Sequence, residues 1–194
     1  MGEPGNTLDE ATESEDKGVA LLIAILALFL ALSEAGAKKA EHHSTEKNIE
    51  ASDLYNFYQA KKARATIVET AAKAFETLAP TIADEKAHEG VEKQIEAWKA
   101  QVAKFENDPK KPEDSLEKIQ ERAKEANEER ETWNHKLEHF EFASGGLQIA
   151  IVLASAAIIT GVGALAWVAG VLGLVGAVLM GFGYLAPTVL TFLG

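Results

Sequence analysis

The sequence predicts an all-α membrane protein in which three transmembrane helices carry a helical coiled-coil hairpin domain between the first and the second. Three observations support this fold class. No charged residue follows Glu141, and of the 19 basic residues only Lys17 precedes Glu34, the other 18 falling between Lys38 and Lys136. Apolar residues in the charged middle recur at alternating spacings of three and four, the repeat of helices packed along a seam. The chain has no cysteine, which excludes a disulfide-stapled module and a thiolate metal site. A net charge of −11 with 47 % apolar residues looks ordinary only because the average hides this partition.

Taken in order, residues 1–17 read as an acidic flexible tail with a single lysine. The apolar run that follows, 19–32, is short enough to compete with a signal-peptide core, and Ala35-Gly36-Ala37 resembles a small-residue cleavage site. The acidic tail argues the other way, because a signal peptide needs positive charge there. Extended to residues 18–37 the run reaches about 20 residues, enough for a first span.

Residues 38–142 form the charged helical coiled-coil domain. The first predicted seam is Phe57, Ala60, Arg64, Ile67, Ala71, Ala74 and Leu78. The second is Val91, Ile95, Trp98, Val102 and Phe105, and the third is Leu116, Ile119, Ala123, Ala126, Arg130, Trp133, Leu137 and Phe140. Ala79-Pro80 ends the first helix, and Asn107-Asp108-Pro109-Lys110-Lys111-Pro112 ends the second. Asp84 with Glu85, and Glu113 with Asp114, suit the first turns of the helices they precede. A first helix over 38–79 rises roughly 63 Å, whereas residues 113–142 descend only about 45 Å. Either the second helix, about 36 Å long, runs obliquely downward, or the first helix breaks near Ala51-Ser52-Asp53.

The uncharged end reads as a helical hairpin, with spans over 143–163 and 166–190. Its turn is predicted between Thr160 and Trp167, where Gly161 and Gly163 weaken the helix, and Pro187 ends or kinks the last span. Ala169, Gly173, Ala177 and Gly181 recur every four residues and predict a flat helix-packing face, and Ala20, Ala24, Ala27 and Ala31 predict a matching stripe on the first span. Glu34, at the end of the first span, is the one ionisable candidate for a pore or boundary residue. Lys38, Lys39 and Lys47, with Arg130 and Lys136, place the middle domain on the cytoplasmic side.

His42 and His43 lie just past the first span, and His135 and His139 a similar distance before the second. On antiparallel helices the four would meet at one height, with His135 and His139 at the i, i+4 spacing that suits one metal ion. The bland alternative is a set of surface histidines.

The segment AKKAEHHSTEKNIEASDLYNFYQAKKARATIVE, with Ala51-Ser52-Asp53 and Tyr58-Gln59-Ala60-Lys61 inside it, and the hairpin opening LQIAIVLASAAIIT resemble a membrane family catalogued as domain of unknown function 4337. The resemblance spans most of residues 18–190. It implies a small bacterial inner-membrane protein, multi-pass, with a helical domain on one side, and it brings no catalytic residue with it.

From these readings the leading expectation is a structural or accessory integral membrane protein that self-associates through small-residue spans and coiled-coil helices. The expected partners are membrane lipid, further copies of the chain, and another membrane complex. The net charge disfavours nucleic acid. The alternative is an oligomeric channel or transporter lined by the first span, with Glu34 and the nearby histidines at its mouth. A metal-dependent enzyme at the histidine cluster comes third. No catalytic motif stands out, so neither enzymatic activity nor a cofactor is predicted.

Overall fold

The computed structural model describes the backbone of residues 4–185 and the side chains of residues 16–185. Within them every regular element is helical: α1 (Pro4–Leu78), α2 (Glu85–Glu106), α3 (Leu116–Thr160) and α4 (Gly163–Leu185), with single 3₁₀ turns at Ala79–Thr81 and Pro112–Asp114. α1 begins at Pro4, so the stretch read as a tail is already helical from there. Residues 186–190 of the predicted third span, Pro187 among them, lie outside the described residues. The chain divides into two compact units, an apolar one made of Met1–Thr45 with Arg130–Gly194 and a middle one made of Glu46–Glu129.

In the middle unit α1 continues unbroken through Ala51-Ser52-Asp53, so the predicted alternative of a break there does not occur. Three helices of unequal length are reconciled by succession. α2 runs back along the far part of α1, where the Phe75 and Trp98 rings meet edge to face at 5.1 Å and Lys99 pairs with Glu76. The start of α3 then lies beside the nearer part, where the Lys61 ammonium donates to the Asp114 carbonyl and Lys47 meets Glu129 at 2.9 Å. α2 and α3 therefore cover one helix in turn, and the length difference is absorbed.

The helix boundaries follow local chemistry. Asp84 caps α2 by accepting from the Ala87 N–H at 2.8 Å, which satisfies one of the donors a helix start leaves open. Ser115 does the same for α3, accepting from the Lys118 N–H at 3.2 Å, while Glu113 and Asp114 sit in the 3₁₀ turn before it. Pro80 and Pro112 each occupy an opening position of a 3₁₀ turn, where the missing N–H is not needed.

The predicted seams of α2 and α3 face inward as read: Ile95 and Ile119 are buried, as are Ala123 and Ala126, and Val91, Trp98, Val102, Phe105 and Leu116 are half-buried. The seam of α1 is displaced by one residue. The positions turned inward are Ala51, Leu54, Tyr58, Lys61, Ala65, Val68, Ala72 and Ala79, whereas Phe57, Ala60, Arg64, Ile67, Ala74 and Leu78 are exposed and Ala71 is half-buried. Small residues win the inner row because they let α2 and α3 approach closely. Lys61 joins them by laying its stem along the contact and sending its ammonium to a carbonyl at the edge.

In the apolar unit Leu26, Leu147, Ala150, Ala154 and Ala169 form the buried core, flanked by residues such as Leu22, Phe29, Leu30 and Leu172. Gly161 closes the hairpin between α3 and α4: its φ is +67°, and its N–H donates to the Ala157 carbonyl at 2.9 Å. Only glycine adopts that left-handed conformation without strain, which explains why the link is just two residues long. Large apolar side chains cover the outside of the bundle, with Leu21, Leu28, Val152, Ile159 and Leu174 all exposed.

Candidate functional site

In the apolar unit α1, α3 and α4 close tightly around Phe140. A methyl group placed on Gly36 of α1 would come within 2.7 Å of the Phe140 ring, and one on Gly183 of α4 within 3.1 Å. The two glycines leave the space the ring fills. Tyr184 meets Phe140 edge to face at 4.8 Å, and the Ser33 hydroxyl donates to the Phe140 carbonyl at 2.9 Å. Next to it His139 is fully buried, its ring 6.4 Å from that of Phe182. The sequence offered no sign of this pin, because Gly36 read as part of a cleavage-like triplet and Gly183 fell outside the four-residue repeat.

Around this junction the histidines do not converge. His42 is exposed, His43 stacks on Trp133 with centroids 4.5 Å apart, and His135 faces Glu138 on its own helix at 3.6 Å. Trp133 carries Lys136 over its ring at 4.0 Å, and the Ser44 hydroxyl donates to the Asn134 side-chain oxygen. Among the described residues no three His, Asp or Glu side chains come close enough to hold a metal ion. Of the predicted metal candidates His42, His43, His135 and His139, the first two lie side by side with ring centroids 5.8 Å apart, while His43, His135 and His139 turn to Trp133, Glu138 and Phe182 respectively. Equal height on two helices does not fix rotation about their axes.

Glu34 is exposed and lines a groove of about 510 Å³ between α1 and α3 with Lys38, Glu41, Glu141, Ser144 and Gln148. A second groove, of about 720 Å³, is almost wholly apolar and lies between the start of the first span and α4, bordered by Gly18, Leu22, Gly163, Ala166, Trp167 and Gly170. Trp167 is 80 % exposed beside it.

The two predicted helix-packing stripes are placed differently. On α4, Ala169 and Gly173 are buried and Ala177 and Gly181 half-buried, while Gly176 and Gly183 are the further buried positions. The inner face follows the three-and-four spacing, so a strict four-residue repeat drifts off it. Contact there is close: a methyl on Gly173 would run into Leu26, and one on Gly176 would meet Leu147 at 2.8 Å. On α1, by contrast, Ala20, Ala24, Ala27 and Ala31 are all exposed, and Leu22, Leu26, Phe29, Leu30, Ser33 and Gly36 turn inward instead. The alanine stripe is therefore not the face that packs on the chain's own α3 and α4.

Over the described residues these features define an all-helical protein with three helices long and apolar enough to cross a membrane. The chain belongs to the family described as Domain of unknown function (DUF4337), which matches residues 15–186 and so takes in every helix beyond the first turns of α1. No curated protein and no solved structure matches it.

Proposed function

We propose that this is a membrane-anchored structural or accessory protein that self-associates, with the helices of its apolar unit embedded in a bacterial inner membrane and its middle unit in the cytoplasm. The observation that carries the reading is the apolar unit itself. Its three helices turn bulky side chains outward along their length, an arrangement that water would penalise by roughly 25 cal/mol per Å² and lipid would not. On that outer surface Ala20, Ala24, Ala27 and Ala31 form a line of small residues, the kind of face on which a second helix backbone can approach closely inside a bilayer. Lipid, further copies of the chain and another membrane complex are the partners this surface suits.

Extraction tests the anchoring: the full chain should stay with membranes washed at alkaline pH and be released by detergent. Recovery in the alkaline supernatant would overturn it. Replacing Ala24 and Ala27 with leucine tests the line of small residues, and should lower the oligomer fraction in detergent without loss of helix content. A second reading, a channel or transporter, is favoured by the groove that sets Glu34 beside Glu41 and Glu141, since carboxylates ringed at a pore mouth attract cations. Conductance across bilayers that carry the protein, reduced by Glu34→Gln, would support this second reading.

A further inference from the structure

We infer that the outer row of α1, residues 57–78, is a docking surface for a second copy of this chain lying antiparallel to it. The inference rests on the self-association proposed above and names a surface outside the apolar unit. Phe57 is 47 % exposed, Ile67 69 % and Leu78 56 %, and with the exposed Ala60, Arg64 and Ala74 and the half-buried Ala71 they repeat at three and four residues along the outer side of α1. An apolar heptad row is the signature of a helix that packs against another helix. α1 thus carries two such rows, one filled from within the chain and one open.

The row is built to be covered. On its exposed flank Asn56, Ala63, Thr70 and Thr77 are uncharged, although a quarter of the whole chain is charged. The Thr70 hydroxyl donates to the Thr66 carbonyl at 2.7 Å and that of Thr77 to the Lys73 carbonyl at 3.0 Å, so covering them strands no hydroxyl hydrogen. Arg64 is the one charged residue in the row.

The sizes of the side chains select the occupant and its direction. Two copies paired antiparallel with contacting numbers summing to 138 set Leu78 on Ala60, Arg64 on Ala74 and Ile67 on Ala71, so that each of these long side chains meets an alanine and each alanine a long side chain. Complementary volumes of this kind fill a contact without voids. A parallel pair in register would instead set Arg64 on Arg64 and alanine on alanine, joining like charges and leaving gaps. The row is about 33 Å long and about 10 Å wide, so two copies cover on the order of 700 Å², below the size of most stable complexes. The contact is accordingly reversible and concentration-dependent.

Because the chain has no cysteine, single cysteines report the pairing without background. Ala60→Cys and Leu78→Cys, made separately in the full chain with different tags and dissolved in detergent at tens of micromolar, are mixed and mildly oxidised. The expected result is a covalent dimer from the mixture and none from either variant alone, since identical cysteines lie about 27 Å apart along an antiparallel pair. Ile67→Glu, added to both, should cut that product about tenfold with helix content unchanged, by burying an unpaired carboxylate. A dimer from one variant alone, or no dimer from the mixture, overturns the inference. The mass of the same unoxidised sample separates the two failures: an oligomer without the mixed cross-link refutes this surface and leaves self-association standing, whereas a monomer refutes both.

Discussion

The apolar and middle units solve one packing problem with different residues. In the apolar unit glycine brings the helices together, Gly173 against Leu26 and Gly36 against Phe140, and exposed apolar side chains lie along all three helices. In the middle unit alanines at Ala51, Ala65 and Ala72 do the close packing, most charged residues are exposed, and exposed large apolar residues concentrate on α1. An exposed leucine has little meaning among lipid tails and considerable meaning on a helix facing water. On the function and the docking row proposed above, the same degree of exposure is lipid contact in one unit and an open row in the other.

The comparison can be broken first where the middle unit is most tightly filled. Ile119→Ala should destabilise it by about 2–5 kcal/mol, the range for deleting a fully buried aliphatic side chain, seen as a lower urea midpoint by circular dichroism. In the apolar unit Gly36→Val should cost about 1–3 kcal/mol by overpacking against the Phe140 ring, read as a lower melting temperature in detergent. A wild-type melt would show that Gly36 leaves no space the ring needs.

The register of α1 is sharpened by a matched pair. Ala72→Leu, on the filled row, should cost about 1–3 kcal/mol, and Ala74→Leu, on the open row, should stay within about 0.5 kcal/mol. Reversed magnitudes in chemical unfolding would return the packing seam to the row through Phe57 and Ile67. Ser33→Ala should remove about 0.5–1.5 kcal/mol with the hydrogen bond to the Phe140 carbonyl, measured by the same detergent melt.

The smallest effect concerns pH. Hydrogen bonds to Glu50 first and Glu129 second hold the Lys47 ammonium above the ordinary lysine range. A folded-state value raised in this way contributes stability in full below the unfolded value of about 10.4 and loses it as pH rises through the folded value. Melting of the wild type should be flat from neutrality to pH 9 as far as this group is concerned. Lys47→Met should then show a shallower decline above about pH 10.4.

How much of this was legible follows from what periodicity can report. α2 and α3 each carry one apolar row in the middle unit, and those rows, from Val91 to Phe105 and from Leu116 to Ala126, are the ones turned inward. α1 carries two rows one residue apart, and the more hydrophobic one, through Phe57, Ile67 and Leu78, drew the prediction while the alanine-rich one with Lys61 does the packing. Hydropathy finds faces that avoid water and is silent about which neighbour covers them. The alanine stripe on α1 is silent in the same way, since small residues allow close approach without saying to what. The turn at Gly161 was visible because a backbone requirement leaves a residue type behind. The Phe140 junction was not, because its two glycines matter only through a ring more than 40 residues from the nearer of them in chain order.

The most direct test of the account is the mass of the full-length protein carried in a patch of its own lipid. The account predicts a discrete multiple of the 20.8 kDa chain, reduced when Ala24 and Ala27 are both leucine. A single chain per patch at every concentration would contradict it.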